Sequence, residues 1–147
     1  MMSLFGGLRI SASALTAERL RLNVIAENIA NAETTRTVAG GPYRRQEVVL
    51  AENQGDTSAG LLEGLTGLLS PGGGVQALGV IEDQSPPRMV FDPSHPDANA
   101  EGYVQMPNVD VPAEVVDMMA ASRAYEANAV AFQSQRQTEE RALELLA

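Results

Sequence analysis

One histidine and three carboxylates lie within the ten residues DPSHPDANAE, at Asp92, His95, Asp97 and Glu101. An imidazole beside carboxylates is the combination that binds a divalent cation or moves a proton. Two prolines punctuate the same run, and Asp, Asn and Pro are also what tight turns are made from. His95 is the single histidine of the chain, and there is no cysteine. A structural turn is the favoured reading, so no catalytic residue, metal ligand or cofactor is assigned. Elsewhere no Ser-His-Asp or Cys-His set occurs, and SPGGGV lacks the Lys and Ser/Thr of a phosphate-binding loop. An enzyme is not expected.

The second chemically informative stretch is IAENIANAETT (25–35), with Asn28 and Asn31 three positions apart. Asparagine is a poor helix former because its amide competes for nearby backbone groups. Either the pair stops a helix, since Asn tolerates the left-handed conformation, or the amides bond to something outside it. Spacing alone favours the stop.

Two long helices must position these residues. Leu8, Ala12, Leu15, Arg19, Leu22, Ala26 and Ile29 alternate steps of four and three, the mark of a helix with a coiled-coil-like seam. The same stepping returns at Val115, Met118, Ser122, Tyr125, Ala129, Phe132, Arg136, Glu139, Leu143 and Leu146. Asp110 is a candidate N-cap there, with Pro112 in the first turn. Between the helices lie short strand candidates at 43–51, 75–82, 88–91 and 102–106, with Val75, Ala77 and Ile81 on one face of the second. A Gly-rich stretch at about 52–74 reads as a mobile loop. The expected fold is mainly α with a small β insertion, the terminal helices forming a coiled-coil-like pair. Its expected segments are an N-terminal helix over 3–34, a β-rich middle over 35–109 and a C-terminal helix over 110–147.

Bulk properties narrow the function further. The 147 residues carry a formal charge of −9, with 4% aromatic residues and no tryptophan. Residues 32–110 hold four Arg against eleven acids, whereas residues 1–31 hold three Arg against two acids. Without a basic footprint, no nucleic-acid partner is expected. No stretch is apolar enough to cross a bilayer, and Arg9 and Glu18 interrupt what would be a signal peptide's hydrophobic region.

SALTAERLRLNVIAENIANAETT (13–35) resembles the N-terminal signature of bacterial flagellar rod, hook and hook-associated proteins. YRRQEVV (43–49), DPSHPDANAEGYVQMPNVDV (92–111) and VVDMMAASRAYEANAVAFQSQR (115–136) are similar to the proximal rod subunits in particular. One departure stands out. Many relatives follow the signature threonine with Pro-Gly or Ser-Gly, whereas Thr34 is followed by Thr35 and Arg36. This points away from hook and distal rod proteins.

The resemblance implies a structural subunit of the periplasmic drive shaft. Such a subunit is exported through the flagellar type III channel without a cleaved signal, stacks helically and transmits torque. Implied partners are copies of the chain, other proximal and distal rod proteins, the membrane-ring and export-apparatus junction at the rod base, and the type III machinery. The implied subunit interface on the first helix comprises Leu8, Leu15, Leu22, Asn28, Ile29 and Asn31. On the last helix it comprises Val115, Met118, Arg123, Tyr125, Asn128, Phe132, Leu143 and Leu146. In this setting Asn31 ends the helix and Asn28 makes a lateral contact, with Arg123 and Asn128 as counterparts. Arg19, Ser122, Arg136 and Glu139 are polar seam positions that either meet neighbouring subunits or lie at a solvated margin. The isolated chain is expected to be partly disordered at both ends. Other readings consistent with the helices are another rod or hook-type axial subunit, a cytoplasmic adaptor or chaperone, or an enzyme using Asp92, His95 and Asp97.

Overall fold

A computed structural model of the protein describes residues 2–53 and 73–144. The elements run α1 (Met2–Ala30), β1 (Gln46–Glu52), β2 (Val75–Glu82), β3 (Arg88–Phe91), β4 (Tyr103–Met106) and α2 (Val111–Glu144). The fold is mainly α with a small antiparallel β insertion. All but the margins of the Gly-rich stretch, and Leu146, lie outside the described residues.

The helices start and stop where local chemistry directs. α1 is carried by Ala and Leu and closes after Ala30, where Asn31 N–H still reaches the Glu27 carbonyl and Thr34 N–H turns back to Asn31. α2 begins directly after Asp110, whose carbonyl accepts the Glu114 amide at 2.9 Å. Pro112 sits in that first turn, where a missing N–H costs nothing.

The strands form two ribbons, β1 with β2 and β3 with β4. In the second, Val90 pairs with Val104 and Phe91 with Tyr103. Side chains alternate across a strand. Val104 is accordingly buried, while Phe91 and Tyr103 stand exposed on the other face, their rings edge to face at 5.2 Å. The expected apolar face of β2 is not covered within the chain, since Ala77 and Ile81 are exposed.

The chain gathers into two compact units. Among the described residues one comprises 2–20, 50–53, 73–78 and 122–144, and the other Arg21–Val49 and Gly79–Ala121. In the first, Ser11 approaches Gln135, and Ser13 accepts the Val75 amide at 3.0 Å. In the second, Val24, Ile25, Ala32, Val104, Val109 and Ala121 form the apolar core.

Both helices keep the expected period but shift its phase. On α1 the covered line is Ser11, Ala14, Glu18, Arg21, Ile25 and Asn28, one step from the apolar seam, of which Ala12, Arg19 and Ala26 are exposed. On α2 it is Glu114, Asp117, Ala121, Ala124, Asn128, Ala131 and Gln135, while Val115, Tyr125, Arg136 and Leu143 are exposed. The reason is one of composition. On α2 the inward line is small and polar, whereas on α1 it includes buried Ile25 and the apolar seam of Leu8, Leu15, Leu22 and Ile29 is half-buried.

Candidate functional site

The histidine cluster is a pair of interlocked turns. Asp92 Oδ1 accepts the Ser94 amide at 3.0 Å and the Ser94 hydroxyl at 2.6 Å. His95 Nδ1 accepts the Asp97 amide at 3.1 Å, and Asn99 Oδ1 accepts those of Glu101 and Tyr103. Gly102 closes the run at φ +83°. Asp97 then faces outward to Thr35, which donates at 2.8 Å, and to the Arg36 guanidinium. Thr35 and Arg36 are thus the residues that moor this turn. The Ser94 hydroxyl lowers the Asp92 pKa, and the Thr35 hydroxyl does the same for Asp97.

The two asparagines do different work. Asn31 is the helix stop: its Nδ2 donates to the Glu27 carbonyl at 3.0 Å and its Oδ1 accepts the Thr34 hydroxyl at 3.1 Å. Asn28 has 0% exposure. Its Nδ2 donates to the Gln46 carbonyl at 2.9 Å and to Glu114 Oε2 at 3.1 Å. Its Oδ1 accepts the Tyr43 hydroxyl at 3.0 Å and the Gln46 amide at 2.9 Å. A side-chain amide has two donors and two acceptor lone pairs, so every one is used. Within the chain, the partner of Asn28 on the C-terminal helix is Glu114, where Arg123 and Asn128 were the expected counterparts. Arg123 is exposed, and Asn128 Nδ2 donates back to the Ala124 carbonyl of its own helix.

Glu114 is the centre that the periodicity did not reveal. It is 1% exposed, and its Oε1 accepts from Arg45 Nε at 2.6 Å. Arg45 also lies 3.6 Å from Glu47 and 3.7 Å from Asp117. Its backbone amide donates to Asn108 Oδ1 at 2.8 Å, and Asn108 Nδ2 donates to the Asp83 and Ser85 carbonyls. Burial pushes the Arg45 pKa down, but the bond to Glu114 and the surrounding carboxylates outweigh it and raise the value. Burial, with Glu27, Glu114 and Glu82 nearby, raises Tyr43. A sequence signal did exist, because Glu114, Ala121, Asn128 and Gln135 recur every seven residues. A search for apolar residues passes over that line.

The other interface residues fall into two groups. Leu8, Leu15, Leu22, Ile29, Met118 and Phe132 are half-buried, and Val115, Tyr125 and Leu143 are exposed. Arg136 pairs with Glu140 of its own helix at 3.0 Å. Glu139 is half-buried, with Oε1 shielded from solvent and without a hydrogen-bond partner among the described residues. Among the described residues, no helix is long and apolar enough to cross a membrane. Nor is any group of three or more His, Cys, Asp or Glu there disposed to hold a metal ion.

Comparison with known proteins adds a second line of observation. Residues 8–36 match the family model described as flagella basal body rod protein, and residues 100–145 that described as flagellar basal body rod FlgEFG protein C-terminal. The chain is 44% identical over 149 residues to flagellar basal-body rod protein FlgC of Bacillus subtilis (strain 168), with 98% of this chain and 99% of that one covered. It is 40% identical over 155 residues to the protein of the same name from Borreliella burgdorferi, with 99% of each covered. For that of Salmonella typhimurium (strain LT2) the identity is 44% over 127 residues, with 86% of each covered.

Proposed function

Since this chain belongs to the FlgC family of flagellar basal-body rod proteins, we propose that it stacks helically with copies of itself and with neighbouring rod subunits through the outer faces of α1 and α2. It is a structural rod subunit of the flagellar basal body and not an enzyme, and it assembles with other rod components. The place in the proximal rod, export through the type III channel without a cleaved signal, contact with the ring and export junction at the rod base, and transmission of torque belong to the same reading.

One observation carries the assembly mode. The line of α2 covered within the chain is polar and small, while the apolar seam of that helix leaves Val115, Tyr125 and Leu143 exposed, and on α1 Leu8, Leu15, Leu22 and Ile29 are only half-buried. Val115 is 42% and Leu143 66% exposed. Exposed apolar surface at helical spacing is what a subunit presents to another subunit. A heterologous contact of that kind grows into a helical array instead of closing. The shielded Glu139 Oε1 awaits a donor from outside the described residues.

The test uses Val115→Asp and Leu143→Asp in the full chain. Both sites are exposed, so the isolated variants are expected to keep the parent's circular dichroism and thermal midpoint within about 0.5 kcal/mol. Cells carrying either variant in place of the parent are expected to lack assembled rods by electron microscopy and to fail to swim in soft agar. Normal rods and swimming with both variants would overturn the assignment of these faces.

A further inference from the structure

The Asn28, Arg45 and Glu114 network is expensive for what it contributes. A carboxylate and a guanidinium withdrawn from water recover that cost only with near-ideal geometry, and well-packed apolar residues of similar volume often do as well or better. Here Glu114 is 1% exposed and Asn28 0%, in a unit that also buries Val24, Ile25, Val104 and Val109. What the network supplies is discrimination. Glu114 stands at the first turn of α2, Asn28 in the last turn of α1, and Tyr43, Arg45 and Gln46 lead into β1. Three segments remote in sequence must arrive together for any one of them to be satisfied.

Displacements of α2 make the point. A shift of one residue puts Ala113 or Val115 where Glu114 stands, leaving Arg45 Nε and Asn28 Nδ2 without their acceptor. A shift of one turn brings Asp110, one methylene shorter, or Met118, which has no carboxylate. Ala121, the other buried residue of α2, presents only a methyl group and makes no directional bond. Registers that bring Ala113, Val115 or Met118 to that place leave buried donors without an acceptor, and those that bring Asp110 or Asp117 offer only a carboxylate one methylene shorter.

We infer that the Asn28, Arg45 and Glu114 network is a register lock, which selects one docking position of α2 against the end of α1 and the start of β1 without adding net stability. The lock is a property of the single chain and stands whether or not the outer helix faces are the assembly surface.

The experiment uses the full-length chain and two readouts, the thermal midpoint and the amide resonances of residues 21–49 and 79–121. Asn28→Leu and Glu114→Leu alone each strand a buried group and are expected to lower the midpoint by roughly 10 °C. The combined variant Arg45→Met, Glu114→Leu, which leaves Asn28 on Tyr43 and Gln46, is expected to return the midpoint to within a few degrees of the parent or above it. At the same time its amides should split into more than one set, where the parent shows one. If a single variant fails to fold, the combined variant decides alone, since it is compared only with the parent. A combined variant with one set of resonances overturns the lock. So does one that melts well below the parent or does not fold, because the network would then be a net stabiliser.

Discussion

Asn28 and Asn31 differ by three positions and by everything that surrounds them. Asn31 meets only its own helix end, so its amide closes the chain on itself, whereas Asn28 is pressed between β1 and α2 and is fully paired there. The same scale governs pH behaviour. The Ser85, Ser94 and Thr35 hydroxyls hold Asp83, Asp92 and Asp97 below their ordinary value. A carboxylate depressed by folding contributes stability that is present above its unfolded value of about 4 and lost as pH falls through the depressed one. The thermal midpoint is expected to be level from pH 7 to about 5 and to decline below about 4. Asp97→Asn should flatten part of that decline. Tyr43 has the opposite sign. Its raised pKa gives stability that is full below the usual tyrosine value of about 10 and is lost as pH rises through the folded-state value. In an ultraviolet titration, Tyr43→Phe should remove a phenolate component that appears above that usual value.

At the scale of elements, the β3–β4 ribbon depends on its connecting turn. Gly102 has φ +83°, and a Cβ there would stand 2.9 Å from Phe91 Cε2 and 3.1 Å from Pro93 Cγ. Gly102→Ala therefore meets both a left-handed backbone and a clash and is expected to cost about 1–3 kcal/mol in urea denaturation. Gly79→Ala in β2 is the contrast. Nothing lies within 4 Å of its Cβ, so the change is expected to be neutral or stabilising by about 0.5 kcal/mol in the same measurement. Helix periods belong to this scale as well. Steps of three and four were legible because they follow from 3.6 residues per turn. Which side of that stripe turns inward was not, because a one-residue change of phase leaves the period intact.

Considered as a whole molecule, the chain buries a polar network beside its apolar core and leaves large apolar side chains such as Val115, Tyr125 and Leu143 exposed. That distribution suits a subunit whose surfaces are completed by others. Removal of residues 133–144, part of the last turns of α2 that carry Gln135 and Glu139, is expected to abolish swimming and rod assembly. Export of the truncated chain into the medium or periplasm, followed by immunoblot, separates failed assembly from failed delivery.

The sequence by itself determined two long helices, four short strands between them, the turn around His95, the helix stop at Asn31 and, through residues 13–35 and 92–136, the family. Each of these is local: a period, a cap, a run of prolines, or a contiguous motif. Only the tertiary structure decided that Asn28 is consumed inside the chain, that Glu114 is buried with Arg45, and that Thr35 and Arg36 moor the turn at Asp97. Those outcomes depend on which distant segments meet. Burial of a charged side chain leaves no trace in the apolar period, because the favourable term is a partner 69 or 86 residues away and not a neighbour along the helix.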